Sequence, residues 1–287
     1  MGKNKIQLSN IEVKMLEIGI NTNCNAGDTF FEICDNIKSA GFKSVMVAFL
    51  PNMADEQLAY ACKLGFDIPY IHLDYTLINN LWVKGGIHDM LMKDIFAQID
   101  VCAKYDIPIA VMHATEGNPN ARVIEPSQFG LSEFKKIVAY AKSKNVKLAL
   151  ENLDEGGFEH LRFLLDNVGD SIVGFCYDAG HHNLYNQAFD LLQMYGERLL
   201  AVHLHDNLAD YEYGDDYSRD LHYLPFDGNL DYSSVTNKLK TIGYQNMVLV
   251  ETHKVSHGAP HLYDNLTNYE FLLEAKSRAE KIKSMLI

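Results

Sequence analysis

The chain has 287 residues, 47% of them hydrophobic, and a formal net charge of −13. That length suits one large α/β barrel with a sizeable core, while the charge speaks against general affinity for nucleic acid, where cations must neutralise phosphates. No apolar run is long enough to cross a bilayer, the basic start has no apolar stretch behind it, and five scattered cysteines (Cys24, Cys34, Cys62, Cys102, Cys176) predict reduced thiols in a cytoplasmic protein.

Short β-like runs alternate with helical stretches along the whole chain. Residues 16–21 predict a strand and 29–40 its helix, stopped at Gly41. Residues 44–50 and 55–64 repeat the pair, with Pro51 and Gly65 as punctuation. A third strand over 69–73 precedes a long amphipathic helix over 88–105. The fourth strand, 107–113, is followed by a helix over 132–144 with Ser132 as its cap. Strands over 146–151 and 172–178 carry helices over 158–167 and 187–195. The seventh strand, 199–205, leads through a long loop to a helix over 233–241; the eighth, 247–252, leads to a final helix over 268–285. Eight such units, with no linker or charge block between them, predict a single (β/α)8 TIM barrel domain over residues 1–287. An open doubly wound sheet is the alternative, but residues 21–27 lack the G-x-G-x-x-G loop usual after its first strand.

In a barrel the chemistry sits at the C-terminal strand ends. Period-two alternation puts Glu151 on one face with Ala149, Asp178 with Gly174 and Cys176, His203 and His205 with Ala201, and Glu251 with Leu249. His72 and His113 end the third and fourth strands in the same way. Singly, each such residue has a bland reading as a solvated or packed side chain. Gathered at one mouth, buried acids and imidazoles are costly without a cation, so the set predicts a metal site. Imidazole and carboxylate donors without a thiolate favour Zn2+, Mn2+ or Co2+ over Ca2+. Cys176 lies one layer down and reads as core packing.

Three strings carry a resemblance: Glu151-Asn152; Asp178-Ala179-Gly180-His181; and His203-Leu204-His205-Asp206, followed by Asp220-Leu221-His222 and a strand ending in Glu251. Together they resemble the xylose-isomerase-like barrel superfamily, which spans sugar isomerases, ketose 3-epimerases and apurinic endonucleases of the endonuclease IV type. The epimerase branch implies one divalent ion on Glu151, Asp178, His203 and Glu251, with His181 touching substrate. The endonuclease branch implies a trinuclear zinc site: His72 and His113 with a bridging Glu151, then Asp178, His203 and Glu251, then His181, Asp220 and His222. Two departures separate this chain from the endonucleases. His205 stands where their pattern has Asn, and His253-Lys254 stand where it has Pro.

The resemblance and the charge together predict a divalent-metal-dependent sugar or sugar phosphate isomerase/epimerase with one to three ions. Glu151 and Glu251 are the expected proton-transfer residues. Alternatives are an endonuclease IV-like phosphodiesterase with multinuclear zinc and a non-catalytic sugar-binding barrel. The expected partner is a small carbohydrate, not nucleic acid or membrane. His181, His205, Asp206, Trp82 and His253 are the expected substrate contacts, with Tyr75, Phe226 and Tyr223 as further loop aromatics. Arg122, Arg219 and Lys254 lie near strand-end loops without forming a basic cluster, and the acidic stretch 211–216 reads as a solvated loop or a lid. Nothing in the sequence signals an oligomeric state.

Overall fold

The computed structural model describes residues 16–116, 124–209, 219–256 and 261–287, apart from the side chains of 155 and 156. Arg122 and the stretch 211–216 lie outside the described residues. The elements run β1 (Ile18–Asn21), α1 (Phe30–Ser39), β2 (Ser44–Ala48), α2 (Ala54–Lys63), β3 (Ile71–His72), α3 (Gly86–Lys104), β4 (Ile109–Met112), α4 (Gln128–Ser143), β5 (Lys147–Glu151) and α5 (Glu155–Asn167). They continue with β6 (Val173–Asp178), α6 (Ala179–Tyr185), α7 (Leu191–Tyr195), β7 (Leu199–His203), α8 (Tyr232–Ile242), β8 (Val248–Val250) and α9 (Asn268–Leu286). The paired strands are all parallel, in the order β7-β6-β5-β4-β3-β2-β1-β8, with helices between them. This is a (β/α)8 TIM barrel.

Alternation along the strands separates two apolar layers. Ala149, Cys176, Ala201 and Leu249 fill the barrel interior with Met46, Tyr70, Ile109, Val111 and Met247. Leu148, Leu150, Phe175, Val202, Val248 and Val250 belong to the outer core beneath the helices. Tyr70 is fully buried and donates its hydroxyl to the Val202 carbonyl at 2.8 Å, which satisfies its one polar atom. Between β7 and β8 the ring closes at a single isolated bridge. The Leu204 N–H donates to Leu249 and the Leu204 carbonyl accepts from Glu251, both at 3.1 Å.

Several boundaries differ from the sequence expectation. The ladders are shorter because polar strand-end residues leave the pairing: β7 stops at His203, and β3 keeps only Ile71–His72. Helix α4 starts a turn early, capped by Ser127 and not Ser132; the Ser127 hydroxyl accepts the Gly130 N–H at 3.1 Å. The chain also turns helical directly after β6, where no helix was expected. Asp178 caps α6 by accepting the His181 N–H at 2.6 Å, and the predicted 187–195 helix contracts to α7. Ala-Gly-His-His-Asn is too short and polar to display a helical period, which is why pattern alone passed over α6. Among the described residues no helix is long and apolar enough to cross a membrane.

Candidate metal centre

At the mouth of the barrel β5, β6, β7 and β8 each deliver one polar side chain. Glu151, Asp178, His203 and Glu251 are buried, with ligand atoms all within 4.8 Å of one another. His203 Nδ1 lies 2.7 Å from Glu251 Oε2, 3.2 Å from Glu151 Oε1 and 3.9 Å from Asp178 Oδ2. The other oxygen of Glu151 faces a second group, with His72 Nε2 at 3.0 Å and His113 Nε2 at 3.4 Å. A third group gathers His181, His205, Asp220 and His222. In it Asp220 Oδ2 is 3.2 Å from both His181 Nε2 and His222 Nε2, while His205 Nε2 reaches Asp178 Oδ1 at 3.0 Å.

Neighbouring backbone orients the imidazoles. His72 Nδ1 lies 2.7 Å from the Leu73 carbonyl, His181 Nδ1 lies 3.0 Å from the Asn152 carbonyl, and His222 Nδ1 lies 3.3 Å from the Glu251 carbonyl. A ring whose Nδ1–H is held by a carbonyl presents Nε2 as a lone pair, the arrangement common at metal-ligating histidines. Asn152 does more than supply that carbonyl. Its side chain donates to the Asp178 carbonyl at 2.9 Å and accepts the Asp178 N–H at 2.8 Å, tying β5 to β6 at the site. The sequence reading named this residue but gave it no role, because a stitch between strands leaves no periodic signal.

Charge at the mouth is strongly coupled. Burial pushes the Glu151 carboxyl up, but His203, His113 and His181 together hold it well below the usual carboxylate range. Burial and His203 oppose each other at Glu251 in the same way, and its carboxyl is likewise held down. Asp220, raised by burial, is pulled well below its ordinary value by His222 and His181. Burial lowers both His203 and His181, but Glu251 and Glu151 around the first and Asp178 and Asp220 around the second hold them well above the usual imidazole value. His113 goes the other way, with burial dominating over Glu151. Cys176 is packed in the barrel interior within reach of Glu151 and His203, and burial pushes its thiol up to about 12. The donors that line the cavity are nitrogen and carboxylate oxygen.

The arrangement fits a divalent cation. Asp178 Oδ2, Asp220 Oδ1 and both ring nitrogens of His203 and His205 are buried without an aligned hydrogen bond among the described residues. Leaving such groups unsatisfied costs about 1–3 kcal/mol each, and a shared cation removes that cost. A nitrogen and oxygen set of this kind suits Zn2+, Mn2+ or Co2+.

A cavity of about 370 Å3 opens above the cluster. Its walls include His72, His113, Glu151, His181, Asp220, His222, Glu251 and His253, with Phe49, Leu50, Pro51 and Leu153 on the apolar side. Tyr75 lines it too, its ring stacked on His113 at 4.1 Å between centroids. His253 stacks on His222 at 4.5 Å. Three expected substrate contacts, Trp82, Asp206 and His205, do not line the cavity. Trp82 is buried against Gly130 and His160, its indole N–H donating to the Ala114 carbonyl at 2.8 Å, and it does not line the cavity. The Asp206 carboxylate is occupied by the backbone N–H groups of Asn207, Leu230 and Phe226, at 2.9, 3.1 and 3.0 Å. His205 lies beneath the cavity floor, fully buried in the third donor group. Phe226 packs on Lys281 and Tyr232, Tyr223 is fully buried, and neither they nor Arg219 and Lys254 line the cavity.

Residues 34–273 match the sequence profile of the family described as xylose isomerase-like TIM barrel. The chain belongs to that family. Among curated proteins it is similar to the uncharacterised protein y4fM of Sinorhizobium fredii, 29% identical over 164 residues. That match takes in 54% of this chain and 50% of y4fM, so the chain spans about half the length of that relative. Among solved structures it is similar to IOLI protein with a bound zinc atom, at a TM-score of 0.74 and 17% identity, covering 95% of this chain and 99% of the other. It is also similar to the D-psicose 3-epimerase of Clostridium cellulolyticum, solved with D-tagatose, at a TM-score of 0.73 and 14% identity. That likeness covers 94% of this chain and 99% of the epimerase. At such identities the two structures speak for the fold.

Proposed function

We propose that this chain, read as one barrel domain over residues 1–287, is a divalent-metal-dependent sugar isomerase or epimerase. One observation carries the reading: Glu151 and Glu251 come from different parts of the ring, face one cavity, and close on the same nitrogen of His203 at 3.2 and 2.7 Å. Glu151, Asp178, His203 and Glu251 are the residues that would hold the ion. A bound divalent cation supplies Lewis-acid polarisation of a substrate carbonyl, which acidifies the neighbouring C–H.

The chain's own groups then do the proton work. In the metal-free chain the histidine neighbours hold Glu151 and Glu251 as carboxylates, the form that accepts a proton, and both oxygen pairs face the cavity where a substrate C–H would lie. His181 and His253 line the cavity where substrate hydroxyls would meet them, and Tyr75 and Phe49 offer apolar faces for a sugar ring. The family membership and the likeness to a ketose epimerase support the same reading. Five free cysteines are consistent with a cytoplasmic setting.

The three-part donor set also fits a phosphodiesterase. Against it, six carboxylates (Asp74, Glu116, Glu151, Asp154, Asp220, Glu251) line the cavity and no Lys or Arg does among the described residues, a poor surface for a polyanion. The test is exchange of a ketose's α-proton with solvent deuterium, followed by NMR across a panel of ketoses and their phosphates, beside cleavage of abasic DNA. Exchange is expected, and Glu251→Gln or Glu151→Gln should slow it by at least about 100-fold in a folded protein. Full exchange in both variants, or DNA cleavage without exchange, overturns the reading.

A further inference from the structure

The eight strand ends are not alike. Seven end in, or are followed at once by, an acid, an amide or an imidazole. β2 alone ends in Ala48 and runs on into Phe49-Leu50-Pro51, and all four of these residues line the cavity. In the order of the ring β2 lies across from β6, while Glu151, Asp178, His203 and Glu251 come from β5 to β8. A substrate held at those four groups therefore sends its far end toward β2.

The polar backbone of this wall is spent inward. Gln57, fully buried on α2, accepts the Leu50 N–H at 2.8 Å and donates to the Ala48 carbonyl at 3.0 Å. The Ala48 N–H goes to the Thr22 hydroxyl at 3.2 Å and the Phe49 N–H to the His72 carbonyl at 2.9 Å. The Leu50 carbonyl accepts the Met53 N–H at 3.0 Å across a turn closed by Asn52 at φ 60°. What the wall turns to the cavity is hydrocarbon. An exposed leucine is ordinary on a protein surface. Leu50 differs in being 45% exposed on the wall of a cavity that six carboxylates share, with a buried glutamine serving the backbone on either side of it. Two of those acids also commit an oxygen elsewhere: Asp74 to the Thr76 N–H at 3.0 Å and Asp154 to the Gly157 N–H at 2.7 Å.

We propose that Leu50, with Phe49 and Pro51, forms a subsite for a deoxygenated carbon at the end of the substrate remote from its carbonyl. The chain then prefers a 6-deoxyketohexose to the corresponding ketohexose or its 6-phosphate. A hydroxyl at that end gives up water and finds no partner on the wall, whereas a methyl group gains by leaving water. A phosphate would in addition face the carboxylates. Gln57 acts as a positioning residue, because it holds the backbone that carries Leu50. The inference rests on the isomerase or epimerase reading and narrows its substrate class.

The test gives the metal-loaded full chain a ketohexose, its 6-deoxy counterpart of the same configuration and the 6-phosphate, and reads α-proton exchange with solvent deuterium. The deoxyketose is expected to have a kcat/KM at least about 10-fold above either of the others. Leu50→Ser, at an exposed position, should bring the deoxy and hydroxy sugars within about 3-fold of each other, and Leu50→Met should keep the preference. Saturation-transfer NMR on the native chain reads the contact apart from turnover. The methyl protons should take up more saturation than any others of the sugar, and Leu50→Ser should remove that lead. Exchange at equal kcat/KM with both sugars, or a preference that survives Leu50→Ser, overturns the inference and leaves the proposed activity standing. Exchange with none of the three overturns the activity and this inference with it.

Discussion

His222 carries its side chain on a left-handed backbone, φ 47°, a conformation rare outside glycine that costs about 1–3 kcal/mol. What holds it there is visible: the His222 carbonyl accepts the His253 N–H at 3.0 Å and the Thr252 hydroxyl at 2.8 Å. The imidazole so placed has a measurable acid–base consequence. Burial lowers its pKa, but Asp220 overrides burial and raises it to about 9. In the metal-free chain this raised value contributes stability that is full below the unfolded value, about 6.5, and is lost as pH climbs through 9. Any ion held by His222 would have to displace that proton, so its binding would release protons and strengthen with pH. The melting-temperature gain on adding Zn2+ or Co2+ is expected to be larger at pH 9 than at pH 6.5; calorimetry showing the reverse would show that His222 holds no ion. Strand-end residues such as Glu151 and Asp178 were legible from alternation alone. The partnership of His205 with His222 was not, because Asp220 and His222 lie beyond a loop whose register no periodicity encodes.

At the scale of elements, the connection from β7 to α8 is organised by Asp206. Its backbone pairs in both directions with Tyr223 at 2.9 Å, and its carboxylate collects three N–H groups of the same connection. Sequence reading placed this acid at a strand end and gave it to substrate, since a loop-organising carboxylate and a ligand-facing one look alike in a string of letters. Asp206→Ala should destabilise the fold by about 2–4 kcal/mol, because buried N–H groups lose their acceptor. Urea denaturation checks this, and a change below about 0.5 kcal/mol would show that the carboxylate does not hold the connection together. Helix α6 makes a sharper case. Gly180→Ala should push the His205 ring aside and destabilise by about 1–3 kcal/mol, as read by urea denaturation.

On the scale of the whole molecule, the eight strand–helix units were readable because apolar runs, turn glycines and capping residues recur without interruption. How the ring closes was not, since the β7–β8 seam depends on one residue. Leu204 lies between His203 and His205 in sequence, and its partner Glu251 donates the N–H that completes the seam. Two backbone hydrogen bonds join these strands, whereas β5 and β6 pair over four registered residues. Chelation should therefore raise hydrogen–deuterium exchange at the Leu204 and Glu251 amides more than at the β5 and β6 amides, as read by mass spectrometry or NMR. Equal protection before and after chelation would disconnect the donors from the seam. If the connection holds, the barrel behaves as a bracelet whose clasp is its own chemistry. The parting that lets an ion in or out is then the same motion that begins to unfold the protein, and metal scarcity would act first on its lifetime and only afterwards on its turnover.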